Sequence, residues 1–305
     1  MTLTSNLVVA VVGPTASGKS DLAIGLAQSL GGEVINADSM QLYQGMDIGT
    51  AKLAPHERQG VPHHMLDVWP VTQTANVAEY QRLARLVVDD IHSRGLTPIL
   101  AGGSGLYVRA VVDDLAFPGT DPTIRARLEA ELEAVGPQVL HARLSEQDPA
   151  SADAISPMNG RRIVRALEVI EVTGQDFVAT LPVPADVYPT VQVGLDVPRD
   201  ELDRRIDQRV DRMWNQGLVE EVARLDALGL RDGVTARRAL GYAQALKFLE
   251  GEWTQDEAIE HTKRTTRRFA RRQDTWFRRD VRIEWIPYDD PDVLDRALAV
   301  VHAAG

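Results

Sequence analysis

Apolar residues along this chain follow two alternating rhythms. Residues 7–12 form a nearly unbroken β-branched run, and shorter runs recur at 33–37 (EVINA), 97–101 (TPILA), 190–197 (TVQVGLDV) and 282–286. Runs of this kind suit strands buried on both faces. Between them the spacing turns helical. Residues 21–30 show it, and Val77, Tyr80, Leu83, Val87 and Ile91 mark one face of a helix ending at Gly95. The same period continues over 108–115, 200–228, a helix opened by 237–242, then 254–279 and 291–302. Strands alternating with helices predict an α/β fold built on a parallel sheet. Residues 43–74 are loop-rich, and at Phe117 the rhythm changes altogether. Pro118-Gly119-Thr120-Asp121-Pro122 reads as a linker, the following stretch to Thr173 is helical without a strand-like run, and Pro182, Pro184 and Pro189 mark the return. The expected organisation is a core from 1–117 and 190–305, interrupted by an all-helical domain over 118–189.

The first strand runs into GPTASGKS, residues 13–20, which has the spacing of a phosphate-binding P-loop. Strand, tight turn and helix start follow in order, so the sheet is expected to be P-loop NTPase-like. Gly13, Pro14, Thr15, Ala16, Ser17, Gly18, Lys19 and Ser20 would wrap a phosphate with backbone N–H groups and a helix N-terminus. Lys19 would add a point charge, and the Ser20 hydroxyl suits a Mg²⁺ ligand. In an open α/β sheet, ligands sit beyond the carboxyl ends of the strands. Asp38, after the second strand, would stand at that rim as a proton acceptor, or serve as an Asx turn or helix cap. Ser104, within the Gly102-Gly103-Ser104-Gly105 turn after the third strand, would face the same rim, or belong to a tight turn that touches no ligand. Arg205 or Arg209 would reach the phosphates from the helix after the fourth strand, unless Glu201, Asp207 or Asp211 holds them. His63 and His64 read as packing residues, because adjacent side chains diverge and no third metal ligand is spaced for them. The Asp89-Asp90 and Asp113-Asp114 pairs are expected to face solvent.

Composition alters this picture at one place. The 305 residues include no cysteine, which excludes disulfides and thiolate chemistry, and no apolar run approaches the roughly 18 residues of a membrane span. The opening MTLTSN lacks a basic leader, so a cytoplasmic protein is expected, and a monomer. Net charge is −11, which disfavours a polyanionic partner. From His261 to Arg282, however, Lys263, Arg264, Arg267, Arg268, Arg271, Arg272, Arg278, Arg279 and Arg282 oppose only Asp274 and Asp280, with Phe269, Trp276 and Phe277 interleaved. That stretch is either a solvated charged helix or a surface for a polyanion. Arg161 and Arg165 share a helix face with Arg162 beside them.

Taken together, GPTASGKS, ADSMQLY at 37–43, GVPHHMLD at 60–67, GGSGLY at 102–107, NGRRIVRALEV at 159–169, RVDRMWNQGLVEEV at 209–222, RALGYAQ at 238–244 and RRFARRQDTWFR at 267–278 resemble the tRNA dimethylallyltransferases, or tRNA isopentenyltransferases, over nearly the whole chain. The resemblance implies transfer of a dimethylallyl group from dimethylallyl diphosphate to N6 of the adenosine 3′ of a tRNA anticodon. It makes Asp38 the general base and turns the P-loop, with Lys19, Ser20, Mg²⁺ and an arginine, into the holder of the departing diphosphate. Ser104 would contact the target nucleotide, and Ser39, Met40 and Gln41 the flipped base; Ser20 and Ser104 stand where the family more often has threonine. Arg125, Arg161, Arg162, Ile163, Val164, Arg165, Arg238, Gly241, Tyr242 and Arg271 would meet the tRNA, with the helical insertion closing over the anticodon loop. A small-molecule kinase with ATP on the loop, or an RNA-binding module with an inert loop, remains open from the residues alone.

Overall fold

In the computed structural model, residues 6–304 are described; residues 1–5, on which the expectation about a leader chiefly rests, lie outside them. The strands are β1 (Val8–Val12), β2 (Gly32–Asn36), β3 (His63–His64), β4 (Thr97–Gly102), β5 (Thr190–Asp196) and β6 (Ile283–Pro287), in the order β3-β2-β4-β1-β5-β6 with every pairing parallel. The continuous apolar character of β1 follows from burial on both faces. Val8, Ala10 and Val12 meet one core layer while Val9 and Val11 meet the other.

Helices α1 (Lys19–Leu30) and α12 (Val293–Ala304) cover the second of those layers. Helices α2 (Val77–Ser93), α3 (Gly105–Val112), α8 (Arg199–Asn215), α9 (Leu218–Asp226), α10 (Tyr242–Leu249) and α11 (Gln255–Phe277) contribute to the first. The remaining helices, α4 (Pro122–Val135), α5 (Pro137–Gln147), α6 (Pro149–Ala154) and α7 (Gly160–Thr173), form a separate compact unit, Leu115–Ala185. It has its own core, with Leu128, Leu140, Leu144, Ile163 and Leu167 fully buried. Among the described residues no helix is long and apolar enough to cross a membrane.

Several expectations are corrected. The 200–228 stretch is two helices, because Gly217 adopts a left-handed conformation (φ 101°) that starts α9 afresh. Residues 236–238 form only a 3₁₀ turn, and α10 begins after Gly241. Asp113 does not face solvent: it is fully buried and held by Arg109 and by Arg282, whose Nη1 lies 2.6 Å from its carboxylate. Arg282 also holds Asp186 and Asp280, so the departing and returning segments are fastened side by side, with Val187 N–H donating to Val112 O. The chain re-joins the core at Asp186, a few residues before the expected boundary. The His63-His64 pair forms edge strand β3, with His64 on Glu33 and His63 on its own Val61 carbonyl.

Candidate active site

The phosphate loop connects β1 to α1. Gly18 takes a left-handed conformation (φ 101°), and no side chain caps the α1 N-terminus, which leaves its first N–H groups for an anion. The Ser17 hydroxyl is buried and has no hydrogen-bond partner. Lys19 Nζ donates to Pro14 O at 2.6 Å, and Ser20, the next helical residue, is exposed.

The electrostatics of this loop are unbalanced. Burial, aided by the Arg209 guanidinium, pushes the Lys19 ammonium down to about 7, against the pull of the Asp38 carboxylate. Arg209 is shifted downward as well, again chiefly by burial, with Asp38 opposing. Two crowded, desolvated cations facing one carboxylate form a site short of negative charge.

Arg209 reaches the loop from mid-helix in α8, where its Nη1 donates to Thr15 Oγ1 (3.2 Å) and its Nη2 to Thr50 O (3.3 Å). Arg205 does not come to the loop. Its guanidinium donates to Glu201 and stacks 4.3 Å over Tyr288, so of the two candidate arginines it is Arg209, one turn further along, that touches the loop.

Asp38 follows β2 directly. Its backbone is fixed on both sides by Asn36, whose Oδ1 accepts from Asp38 N–H (2.9 Å) and whose Nδ2 donates to Asp38 O (3.0 Å). The carboxylate Oδ1 accepts from Met40 N–H, so the Asx turn and the rim position occur together. Ser104 joins this turn: its Oγ accepts from Ser39 N–H (3.1 Å) and donates to Ser39 Oγ (3.2 Å). Gln41 Nε2 donates to Thr50 O, the carbonyl that also receives Arg209. The structure thus brings the phosphate loop, Asp38, Ser39, Met40, Gln41, Ser104 and Arg209 to one edge of the sheet.

The expected RNA contacts divide. Arg161, Arg162, Arg238 and Arg271 are exposed. Arg125 and Arg165 are half-buried around the fully buried Glu168, and Arg165 also donates to Pro118 O (2.7 Å) and Gly119 O (3.1 Å), tying down the linker. The Ile163 and Val164 side chains fill the core of the helical unit, because they lie on the apolar face of α7. Tyr242 also points inward. It is fully buried and donates to Glu221 Oε1 at 2.6 Å, and Gly241 is buried beside it.

Three residues were missed from sequence. Asn36 orients Asp38, as above. Glu221 is buried, and besides Tyr242 it accepts from the backbone N–H groups of Asp47, Ile48 and Gly49, fixing the loop that ends at Thr50. Gln273 reaches the phosphate loop from α11. The only sequence signal for it is an uncharged amide on the apolar side of an arginine-rich helix.

That helix is less basic in place than in sequence. Asp211, Asp207 and Asp203 of α8 pair with Lys263, Arg267 and Arg271 at four-residue steps in opposite directions. Arg264, Arg268 and Arg272 remain exposed along the neighbouring stripe.

Comparison with known proteins gives the family. The IPP transferase family matches residues 41–280. A tRNA dimethylallyltransferase of Thermobifida fusca is 67% identical over 299 residues, covering 96% of this chain and 94% of its own length. Among solved structures, the full-length tRNA isopentenylpyrophosphate transferase of Bacillus halodurans is similar at a TM-score of 0.72 and 42% identity, covering 98% of this chain and 95% of that one. A eukaryotic dimethylallyltransferase acting on tRNA reaches a TM-score of 0.82 at 28% identity, covering 97% and 78% respectively. With the phosphate loop, the Asp38 turn and the Ser104 turn assembled at one sheet edge, this chain belongs to the IPP transferase family, the tRNA dimethylallyltransferases.

Proposed function

We infer that the protein transfers the dimethylallyl group of dimethylallyl diphosphate to N6 of the adenosine 3′-adjacent to the anticodon in tRNA, releasing diphosphate. The observation that carries the residue roles is the arrangement at one sheet edge of the uncapped α1 N-terminus with Lys19, Arg209 on Thr15 and the fixed Asp38 turn, with burial weakening both cations. A diphosphate bound by the loop supplies the missing negative charge. It re-protonates Lys19 and gives the unpartnered Ser17 hydroxyl an acceptor.

As the allylic C–O bond breaks, its electron pair leaves with the diphosphate oxygen, where Lys19, Arg209 and the α1 N-terminus stabilise it. The adenine N6 lone pair forms the new C–N bond, and the proton lost from nitrogen passes to Asp38. The Asn36 clamp and the Met40 N–H hold that carboxylate in one orientation, which keeps the proton transfer short. Ser39, Met40, Gln41 and Ser104 line the place of the extruded base, since they share the turn that carries Asp38.

A divalent ion fits this site only as a partner of the substrate. Among the described residues no cluster of three histidines or carboxylates could hold a metal. The exposed Ser20 hydroxyl beside a diphosphate matches the habit of Mg²⁺, which takes few protein ligands and completes its shell with phosphate oxygens and water. When bound, the ion would neutralise charge on the departing diphosphate.

For the RNA, Arg264, Arg268, Arg271 and Arg272 on α11, with Arg161, Arg162 and Arg238, offer exposed guanidinium groups to phosphates. Arg125 and Arg165 support them from the Glu168 network.

The test is incubation with unmodified tRNA, dimethylallyl diphosphate and Mg²⁺, followed by nucleoside mass analysis. One dimethylallyl mass gain on adenosine is expected, and its absence overturns the reading. In the same assay Asp38→Ala should lower turnover at least about 100-fold, within the range for losing a general base, while tRNA binding persists. Undiminished turnover removes Asp38 from that role.

A further inference from the structure

Helix α11 carries its arginines outward, yet its inward face ends at the phosphate loop. Gln273 is buried, 6% exposed, and its amide spans two loops. Its Oε1 accepts from Thr15 N–H at 2.9 Å and its Nε2 donates to Gly103 O at 2.8 Å. Thr15 is also the residue that receives Arg209, and Gly103 precedes Ser104. The approach is close: a Cβ on Gly103 would lie 2.4 Å from Gln273 Nε2, and one on Gly105 would lie 2.0 Å from the Trp276 indole nitrogen, so either would make the α11 side chain shift. Two turns of one helix are thus seated directly on the phosphate loop and the Ser104 turn.

We propose that Gln273 is a positioning residue that fixes the phosphate loop and the Ser104 turn in register from the buried face of α11, so that tRNA docking on the exposed face of α11 and diphosphate binding are coupled. The proposal rests on the functional reading above. Its chemistry is specific to a primary amide, because one atom must accept and the other donate, the bond to Gly103 being buried. A backbone N–H and a carbonyl of two separate loops are then held by one planar group. The other face of the same helix presents Arg264, Arg268, Arg271 and Arg272, so a phosphate backbone bound there acts on the element that holds Thr15 and Gly103.

Two variants of the full chain test this. Gln273→Met keeps length and loses both hydrogen bonds. Gln273→Glu keeps the acceptor and loses the donor, until protonation restores an O–H in its place. For the wild type, saturating unmodified tRNA should tighten inorganic diphosphate binding about fivefold or more, the lower end of ordinary coupling. In Gln273→Met that gain should fall below about twofold and kcat should drop at least about tenfold, with tRNA affinity alone unchanged.

For Gln273→Glu, the ratio of its kcat to that of the wild type should rise as pH is lowered from 8 to 6. A residue that only filled space would give no such profile. Wild-type coupling and turnover retained in Gln273→Met, or a flat ratio for Gln273→Glu, overturns the proposal. Should Gln273→Met fail to fold, the Gln273→Glu ratio decides alone. Failure of the wild type to bind diphosphate at all would instead sink the functional reading, and this proposal with it.

Discussion

Lys19 shows how one residue gains its properties from neighbours that are distant in sequence. Its ordinary ammonium would be charged throughout the neutral range, but burial and Arg209 lower it to about 7. The sign of the resulting pH dependence follows from linkage. Below pH 7 the free protein already carries the proton, so binding takes up none. Above pH 7 an arriving diphosphate must restore it, and this contribution to affinity falls about tenfold per pH unit until the pKa of the bound state is reached. Diphosphate has protons of its own, so the measurement is a difference. Calorimetric titration at pH 8, in buffers of unlike ionisation enthalpy, should show nearly one more proton taken up by the wild type than by Lys19→Met. Equal uptake would mean that Lys19 stays charged in the free protein. From the sequence, the place of Lys19 at the end of a P-loop motif was legible, whereas its poise near neutrality was not. Arg209 lies 190 positions away and reaches the loop only through the packing of α8.

Among the elements, α8, α9, α10 and α11 teach the same lesson in two ways. Their apolar stripes were readable, because a stripe is a local period. Their charged faces were not, because the pairing partners lie on other helices. The basic character of 261–282 was assessed against Asp274 and Asp280 alone, while Asp203, Asp207 and Asp211 arrive from α8 and engage three of its cations. Tyr242 was expected on the RNA. Instead it joins Glu221 in holding the 47–49 backbone, and that loop in turn supplies Thr50 O to Gln41 and Arg209. A buried carboxylate with four donors is costly to remove. Glu221→Ala should lower stability by about 3 kcal/mol, and Tyr242→Phe by about 1–2 kcal/mol, since each leaves buried polar groups without partners. Urea denaturation reads both. Tyr242→Phe should leave tRNA affinity unchanged, and a variant of native stability with weakened tRNA binding would return Tyr242 to the RNA interface.

At the scale of the whole molecule, the chain leaves the sheet domain after Asp114 and returns at Asp186, and Arg282 holds Asp113 and Asp186 at the two ends. Because Asp113 is completely buried, Arg282→Met strands a carboxylate beside Arg109 alone, and a loss of about 3 kcal/mol is expected in thermal or urea unfolding. A change below about 0.5 kcal/mol would show that Arg109 suffices. The sequence by itself determined every strand but the edge strand β3, most of the amphipathic helices, the P-loop motif, the Asp38 turn and the helical insertion. Each of these is encoded by neighbours within a few positions, through apolar period, turn residues and glycine spacing. Tertiary structure alone decided which arginine meets the loop, which acids quench the basic helix, where Tyr242 points and what Gln273 joins. Hydrogen bonds and ion pairs across 50 to 260 positions leave no local pattern, because either partner looks the same in sequence whether it faces water or another helix.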